Sequence, residues 1–183
     1  MWTTKDDGKT STSQRQRASC RELVTGAIVR GRRMTIRPLL ERSRFFRLTP
    51  ADWWLLVAVG VAQVAAAAAL HAMPLPALRT RAGRLRRPAQ FLVRGSDERI
   101  IWAIEATGRR LGRLSTCLLR ALVAELLLDT RNGTICLTIG IRRTADTLEA
   151  HAWLARNGRV LIGAPADEYI PMVDWTSPSA SRS

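Results

Sequence analysis

Acidic side chains are scarce in this chain of 183 residues: fifteen Asp and Glu face twenty-nine Lys and Arg, for a formal net charge of +14. That balance makes phosphate backbones, anionic lipid or an acidic polypeptide physically plausible partners without choosing among them. Phenylalanine and tyrosine are scarcer, at three and one. With no helix-turn-helix, zinc-finger or aromatic-basic interleaving in the chain, no nucleic-acid partner is expected. The cysteines, Cys20, Cys117 and Cys136, are odd in number and lack CxxC spacing. No disulfide framework and no metal site is therefore suggested, no cofactor is expected, and a reducing compartment fits. The N-terminal stretch carries Asp6, Asp7 and scattered Arg but no apolar core of the kind a secretory signal needs, so a cytoplasmic protein is expected.

What is present is enough apolar residue, 46% of the chain, to bury one core. Residues 1–44 read as a basic, flexible tail too polar to offset its ordering entropy, with Met34 a second candidate start. A helical accessory region is expected over 45–95. Thr49-Pro50-Ala51-Asp52 has the form of a helix entry, with Thr as N-cap, Pro at the first helical position and Asp in the first turn. The body that follows, WWLLVAVGVAQVAAAAALHAM, is nearly free of charge and long enough on paper to cross a bilayer. Gln63, Gly60, His71 and the Ala-rich second half favour a buried helix of a soluble protein over a membrane span. Pro74, Pro76 and Pro88 then bracket a short helix carrying Arg79, Arg81, Arg84, Arg86 and Arg87, either a solvated face or a docking patch.

The catalytic core is expected over 96–175, with a flexible tail over 176–183. Ser96-Asp97-Glu98 begins a helix whose apolar positions include Ile100, Ile101 and Ile104, ending near Gly112. Ser115 or Thr116 caps the next helix, which Cys117 opens and LLRALVAELLL continues. Only Arg120 and Glu125 interrupt that apolar run, so the helix should be central. The period then becomes that of strands in TICLTIGI, LEAHAWLAR and RVLIG, the last two joined by Asn157-Gly158, a strong hairpin signal. Helices first and an antiparallel sheet after make an α+β fold.

Cys117 at a helix start would have its thiolate favoured by the unpaired amides and the positive end of the helix. His151 shares a strand face with Trp153, and a strand packed across that helix start could bring imidazole to thiol. Taken bare, the pair also suits a small buried hydrophobe and a structural histidine. Cysteine on a central helix followed by histidine on an antiparallel strand is, however, the order of nucleophile and base in papain-like folds. Cys136 reads as structural.

The strings CLLRALVAELLL, LTIGIRR, EAHAWLARNGRVLIG and PADEYIPM, within residues 45–173, resemble the leader-peptidase B proteins of lasso-peptide biosynthesis, a branch of the transglutaminase-like superfamily. The resemblance implies a papain/transglutaminase-like fold, with the nucleophile at the start of a central helix packed on the sheet. It also implies removal of the leader from a ribosomally made lasso precursor. Cys117 would attack the scissile carbonyl, His151 would shuttle the proton, and the Cys117 amide could help hold the oxyanion. The N-terminal region does not read as the small β-rich domain that grips the leader. A separate recognition-element protein is therefore an expected partner beside the precursor peptide, and the lasso cyclase is a further candidate. The Arg79–Arg87 stretch is one place where the leader or that protein could dock.

The chain departs from the family at the acidic residue that orients the imidazole, where it has Gly163. Asp167 is the nearest substitute and completes the expected set Cys117, His151 and Asp167; Glu149 sits too close in sequence to face the ring simply. An acyltransferase with the same Cys-His chemistry, a non-enzymatic basic binding protein and a single-span membrane protein remain the competing readings.

Overall fold

The computed structural model describes residues 48–93, 95–144, 147–163 and 169–177. The expected tail over 1–44, Met34 and Asp167 lie outside them. The described residues form an α+β protein with two compact units, one helical up to Asp129 and one of sheet from Thr130.

In the helical unit, α1 spans Pro50–Ala72, α2 Leu75–Leu92, α3 Asp97–Leu111 and α4 Cys117–Leu127. The entry to α1 is a capping box. The Asp52 amide donates to Thr49 Oγ1 at 3.3 Å, and the Thr49 amide donates to the Asp52 carboxylate at 3.0 Å. Asp52 also pairs with Arg99 in the first turns of α3, tying the starts of the two helices together. Only one face of α1 is buried, through Leu55, Leu56, Val59 and Gln63. Trp53, Val57, Val61 and Val64 are exposed. The helix is long and apolar enough to cross a membrane by length and composition alone.

Helix α2 runs through Pro88 and ends at Leu92, where the sequence predicts a short helix stopped by that proline. An interior proline forfeits one backbone hydrogen bond, and here it sits at an exposed position. Arg79 and Arg86 turn toward α4 and meet the buried Glu125 carboxylate at 2.5 and 3.5 Å. Burial pushes the Arg86 guanidinium below its usual value, with Glu125 opposing that shift and Arg79 adding to it. Arg81, Arg84 and Arg87 point to solvent. The basic run therefore has two faces, one structural and one free for solvent.

Helix α4 is central, as its nearly unbroken apolar run predicts: it packs against α1, α2 and α3. Its cap is Thr116, whose hydroxyl accepts from the Leu119 amide at 3.2 Å.

In the other unit, β1 (Ile135–Arg143), β2 (Leu148–Arg156), β3 (Arg159–Ile162) and β4 (Ile170–Ser177) form one antiparallel sheet in the order β3-β2-β1-β4. The β2–β3 turn is the expected Asn157-Gly158, both residues at positive φ, 48° and 79°. Strand β4 was not anticipated. Pro171 argues against a strand, but β4 is an edge, where a missing amide is tolerated, and Pro171 faces Gly140 beside a bulge in β1. Cys136 is buried in β1.

Replacing Glu125 with Ala strands two arginines in a largely buried setting and should cost about 3 kcal/mol by chemical denaturation, whereas Arg84→Ala should leave the midpoint unchanged. The Asp52 carboxyl is held below the usual carboxylate range, first by the Thr49 side chain and also by Arg99. It therefore adds stability above the ordinary value of about 3.9 that is lost as pH falls through its lower folded value. Asp52→Asn should accordingly flatten the acid limb of the stability profile measured by thermal melts from pH 6 to pH 2.

Candidate active site

Cys117 opens α4, and the chain leading into it is fixed by a buried polar network. The side chain of Gln63, fully buried on α1, donates from Nε2 to the Ile104 carbonyl at 2.9 Å and to Thr107 Oγ1 at 2.6 Å. Its Oε1 accepts from Ser115 Oγ at 3.1 Å. Thr107 Oγ1 in turn donates to the Ala103 carbonyl at 2.7 Å. Arg120, one turn into α4, donates from Nε to Ser115 Oγ at 3.0 Å and from Nη2 to the Ser115 carbonyl at 3.1 Å. Its Nη1 reaches Glu105 at 3.3 Å. Each buried polar group thus finds a partner, the condition for such a network to rigidify rather than destabilise.

The consequence falls on three consecutive residues. Ser115 is clamped from α1 and α4, Thr116 caps the helix, and Cys117 follows with its side chain partly exposed. Gly108 on α3 makes room for the clamp, because a Cβ there would stand 2.7 Å from Ser115 Oγ and 2.9 Å from Arg120 Nε. The amides of the first helical turn and the aligned peptide dipoles favour negative charge at that thiol.

His151 is carried by β2 in the sheet unit, opposite Gly140 of β1. Its Nε2 lies 2.9 Å from the Gly163 carbonyl oxygen. Trp153, two residues along the same face, lies nearly parallel to the ring with centroids 6.4 Å apart and 23° between planes. The Tyr169 ring lies 5.3 Å from the imidazole at 38° to it. Trp153 is fully buried and packs with Ala155, Val160 and Tyr169.

Glu149 is committed elsewhere: it accepts from Arg142 at 2.7 Å and from the Tyr169 hydroxyl at 3.3 Å. The Arg142 hydrogen bond and charge hold the Glu149 carboxyl below the usual carboxylate range. Arg142 also lies 5.4 Å from the centre of the Tyr169 ring. Glu149 therefore fixes Tyr169, and Tyr169 flanks the imidazole. Of the three residues expected from sequence, Cys117 and His151 are each held at a defined place in their own units, and Asp167 lies outside the described residues. No group of His, Cys, Asp and Glu able to hold a metal occurs among the described residues.

Gln63, Gly108, Ser115 and Arg120 were not anticipated as a set. The available signal was a polar residue inside each of two otherwise apolar helices, since a buried amide or guanidinium must find partners. The sequence does not say which partners.

A thiol at the start of a central helix and an imidazole on a later antiparallel strand are the parts of a cysteine-dependent acyl-transfer enzyme. The chain matches the family described as the transglutaminase-like superfamily over residues 55–174, and it belongs to that superfamily. No curated protein and no solved structure matches it.

Gly108→Ala should press Ser115 and Arg120 apart and cost about 1–3 kcal/mol of stability. The alkylation rate of Cys117 by iodoacetamide, followed by peptide mapping, should change with it, whereas Gly83→Ala, which meets nothing within 4 Å, should alter neither reading.

Proposed function

We propose that this protein is the cysteine peptidase that removes the leader from a ribosomally synthesised lasso-peptide precursor in the cytoplasm, working with a separate leader-recognition protein. The observation that carries the reading is Cys117 as the first residue of the central helix of a transglutaminase-like domain, its approach clamped by Ser115 and Arg120. The particular substrate class comes from the EAHAW run around His151, the helix-opening CLLRALVAELLL and the closing Tyr169-Ile170-Pro171-Met172 segment, which resemble lasso leader peptidases.

In the proposed reaction the Cys117 thiolate attacks the scissile carbonyl carbon. The His151 imidazolium gives its proton to the leaving amine as the C–N bond breaks, leaving the leader as a thioester on Sγ. Water then attacks the thioester while His151 takes its proton, and the thiolate leaves with the leader carboxylate free. The first-turn amide of Cys117 is the donor proposed for the oxyanion. The freed core amine is the group a separate cyclase would join to an Asp or Glu side chain.

The solvent-facing Arg81, Arg84 and Arg87, with exposed Leu85, Phe91 and Leu92 on the same helix, suit the docking of an acidic, partly apolar leader or of the recognition protein that carries it. The partly buried Arg79 and Arg86 do not share that role, because Glu125 holds them.

The test is mass spectrometry of a lasso-type precursor incubated with its recognition protein and this chain, beside Cys117→Ala and His151→Ala. Wild type should release a leader-sized fragment, with loss of at least about a hundredfold in rate for either variant. An intact precursor in every reaction, with folded protein and bound recognition partner, would sink the peptidase reading for that precursor. Transfer of the acyl group to an added amine in preference to water would move the assignment to an acyltransferase.

A further inference from the structure

A surface helix of a water-soluble protein buries one apolar stripe and turns charged and polar side chains to solvent. Helix α1 departs from that pattern. It carries no charged residue after Asp52, and Trp53, Val57, Val61, Val64 and Ala68 recur at helical spacing along its outer face. Trp53, Trp54, Val57, Val61 and Val64 are each more than half exposed. At about 1.5 Å per residue the stripe runs about 25 Å. Its one polar side chain is His71 at the end, whose Nδ1 lies 2.8 Å from the Ala67 carbonyl oxygen.

We propose that this outer face of α1 lies on the surface of an anionic phospholipid bilayer, the valines against the acyl chains and Trp53 and Trp54 at the headgroup boundary. Tryptophan suits that boundary because its ring is apolar and its N–H is polar. The inference stands apart from the peptidase reading.

The opposite face of α1 makes the helix one that lies on a bilayer and does not cross it. Leu55, Leu56, Val59 and Gln63 are buried there. The Gln63 amide is bonded to the Ile104 carbonyl and Thr107 on α3 and to Ser115. A helix surrounded by lipid would have to give up all three bonds and leave a polar amide in hydrocarbon. Half of α1 is thus committed to protein, and only the other half is offered to lipid, the arrangement of an interfacial helix.

Charge identifies the occupant. Arg109 and Arg110, in the last turn of α3, and Arg113 just beyond it are exposed. Arg110 lines, with Trp53, Leu56 and Val57, a cleft of about 150 Å³ beside the stripe. An apolar cleft with a guanidinium at its edge suits a phospholipid, whose chain meets the wall while its phosphate meets the arginine. A second copy of this chain would instead bring two sets of these arginines and two net charges of +14 together. A folded protein partner presents polar groups at fixed positions across an interface, and the stripe offers them almost no hydrogen bonds. Acyl chains require none.

The experiment is sedimentation of the full chain with vesicles of phosphatidylglycerol and phosphatidylcholine in equal parts. Charge alone would draw so basic a chain to them, so the apolar stripe carries the test. Wild type should sediment with the vesicles and be released by alkaline carbonate. Val57→Gln with Val61→Gln should weaken binding roughly tenfold, and Arg109→Gln with Arg113→Gln by a similar factor. A folded Val57→Gln, Val61→Gln protein that binds as wild type does, or a wild type that stays in the bilayer through carbonate, would overturn the proposal. So would a wild type that ignores the vesicles, whether it stays monomeric or self-associates through this face. If the valine variant does not fold, quenching of tryptophan fluorescence by chain-brominated phospholipid decides. It should fall sharply in Trp53→Phe with Trp54→Phe, and quenching that is unchanged in that variant overturns the proposal. No peptide is present, so these outcomes leave the peptidase reading to its own test.

Discussion

One buried amide, Gln63, holds the chain that leads into Cys117. It lies in the apolar body of α1, where an unsatisfied amide would cost about 1–3 kcal/mol, and it is satisfied by α3 on one side and by Ser115 on the other. Arg120 closes the arrangement from within α4. The start of the central helix is therefore held by donors and acceptors of fixed geometry as well as by apolar packing. Such a clamp supplies the preorganisation that the proposed role of Cys117 as nucleophile requires.

The sheet unit solves a matching problem with different means. His151 sits in a ladder of backbone hydrogen bonds that fixes its Cα, and three neighbours then fix its ring: Trp153 and Tyr169 by their flanking faces, Gly163 by its carbonyl. The charged residues nearby, Arg142 and Glu149, act on Tyr169 and on each other. Both candidate side chains are thus carried on regular secondary structure, with supporting polar contacts supplied by short stretches beside it.

Local chemistry made much of this legible in advance. Thr49-Pro50-Ala51-Asp52, Ser96-Asp97-Glu98 and Thr116 each read as helix entries because capping is a matter of a few adjacent residues, and each is one in the structure. Asn157-Gly158 announced its hairpin for the same reason. What stayed hidden depends on contacts between distant positions. Strand β4 exists because β1 offers an edge, although Pro171 argues against a strand. Pro88 lies inside α2, a helix whose inner face is held to α4 by Arg79 and Arg86. The Gln63 clamp joins residues far apart in the chain, and the Gly163 carbonyl is a backbone group that no residue type reveals. The Gly163 carbonyl lies 2.9 Å from the His151 ring, an acceptor that every residue possesses, while Asp167 lies outside the described residues.

The central claim is that Cys117 is an acylating nucleophile with His151 as its base. The most direct measurement is rapid acid quench of the enzyme with precursor and recognition protein, followed by intact-mass and peptide mapping. The account predicts a transient adduct of leader mass, less the elements of water, on the peptide containing Cys117, and its removal by hydroxylamine as a thioester. Leader release with no labile adduct at Cys117, or with the adduct on another residue, would contradict it.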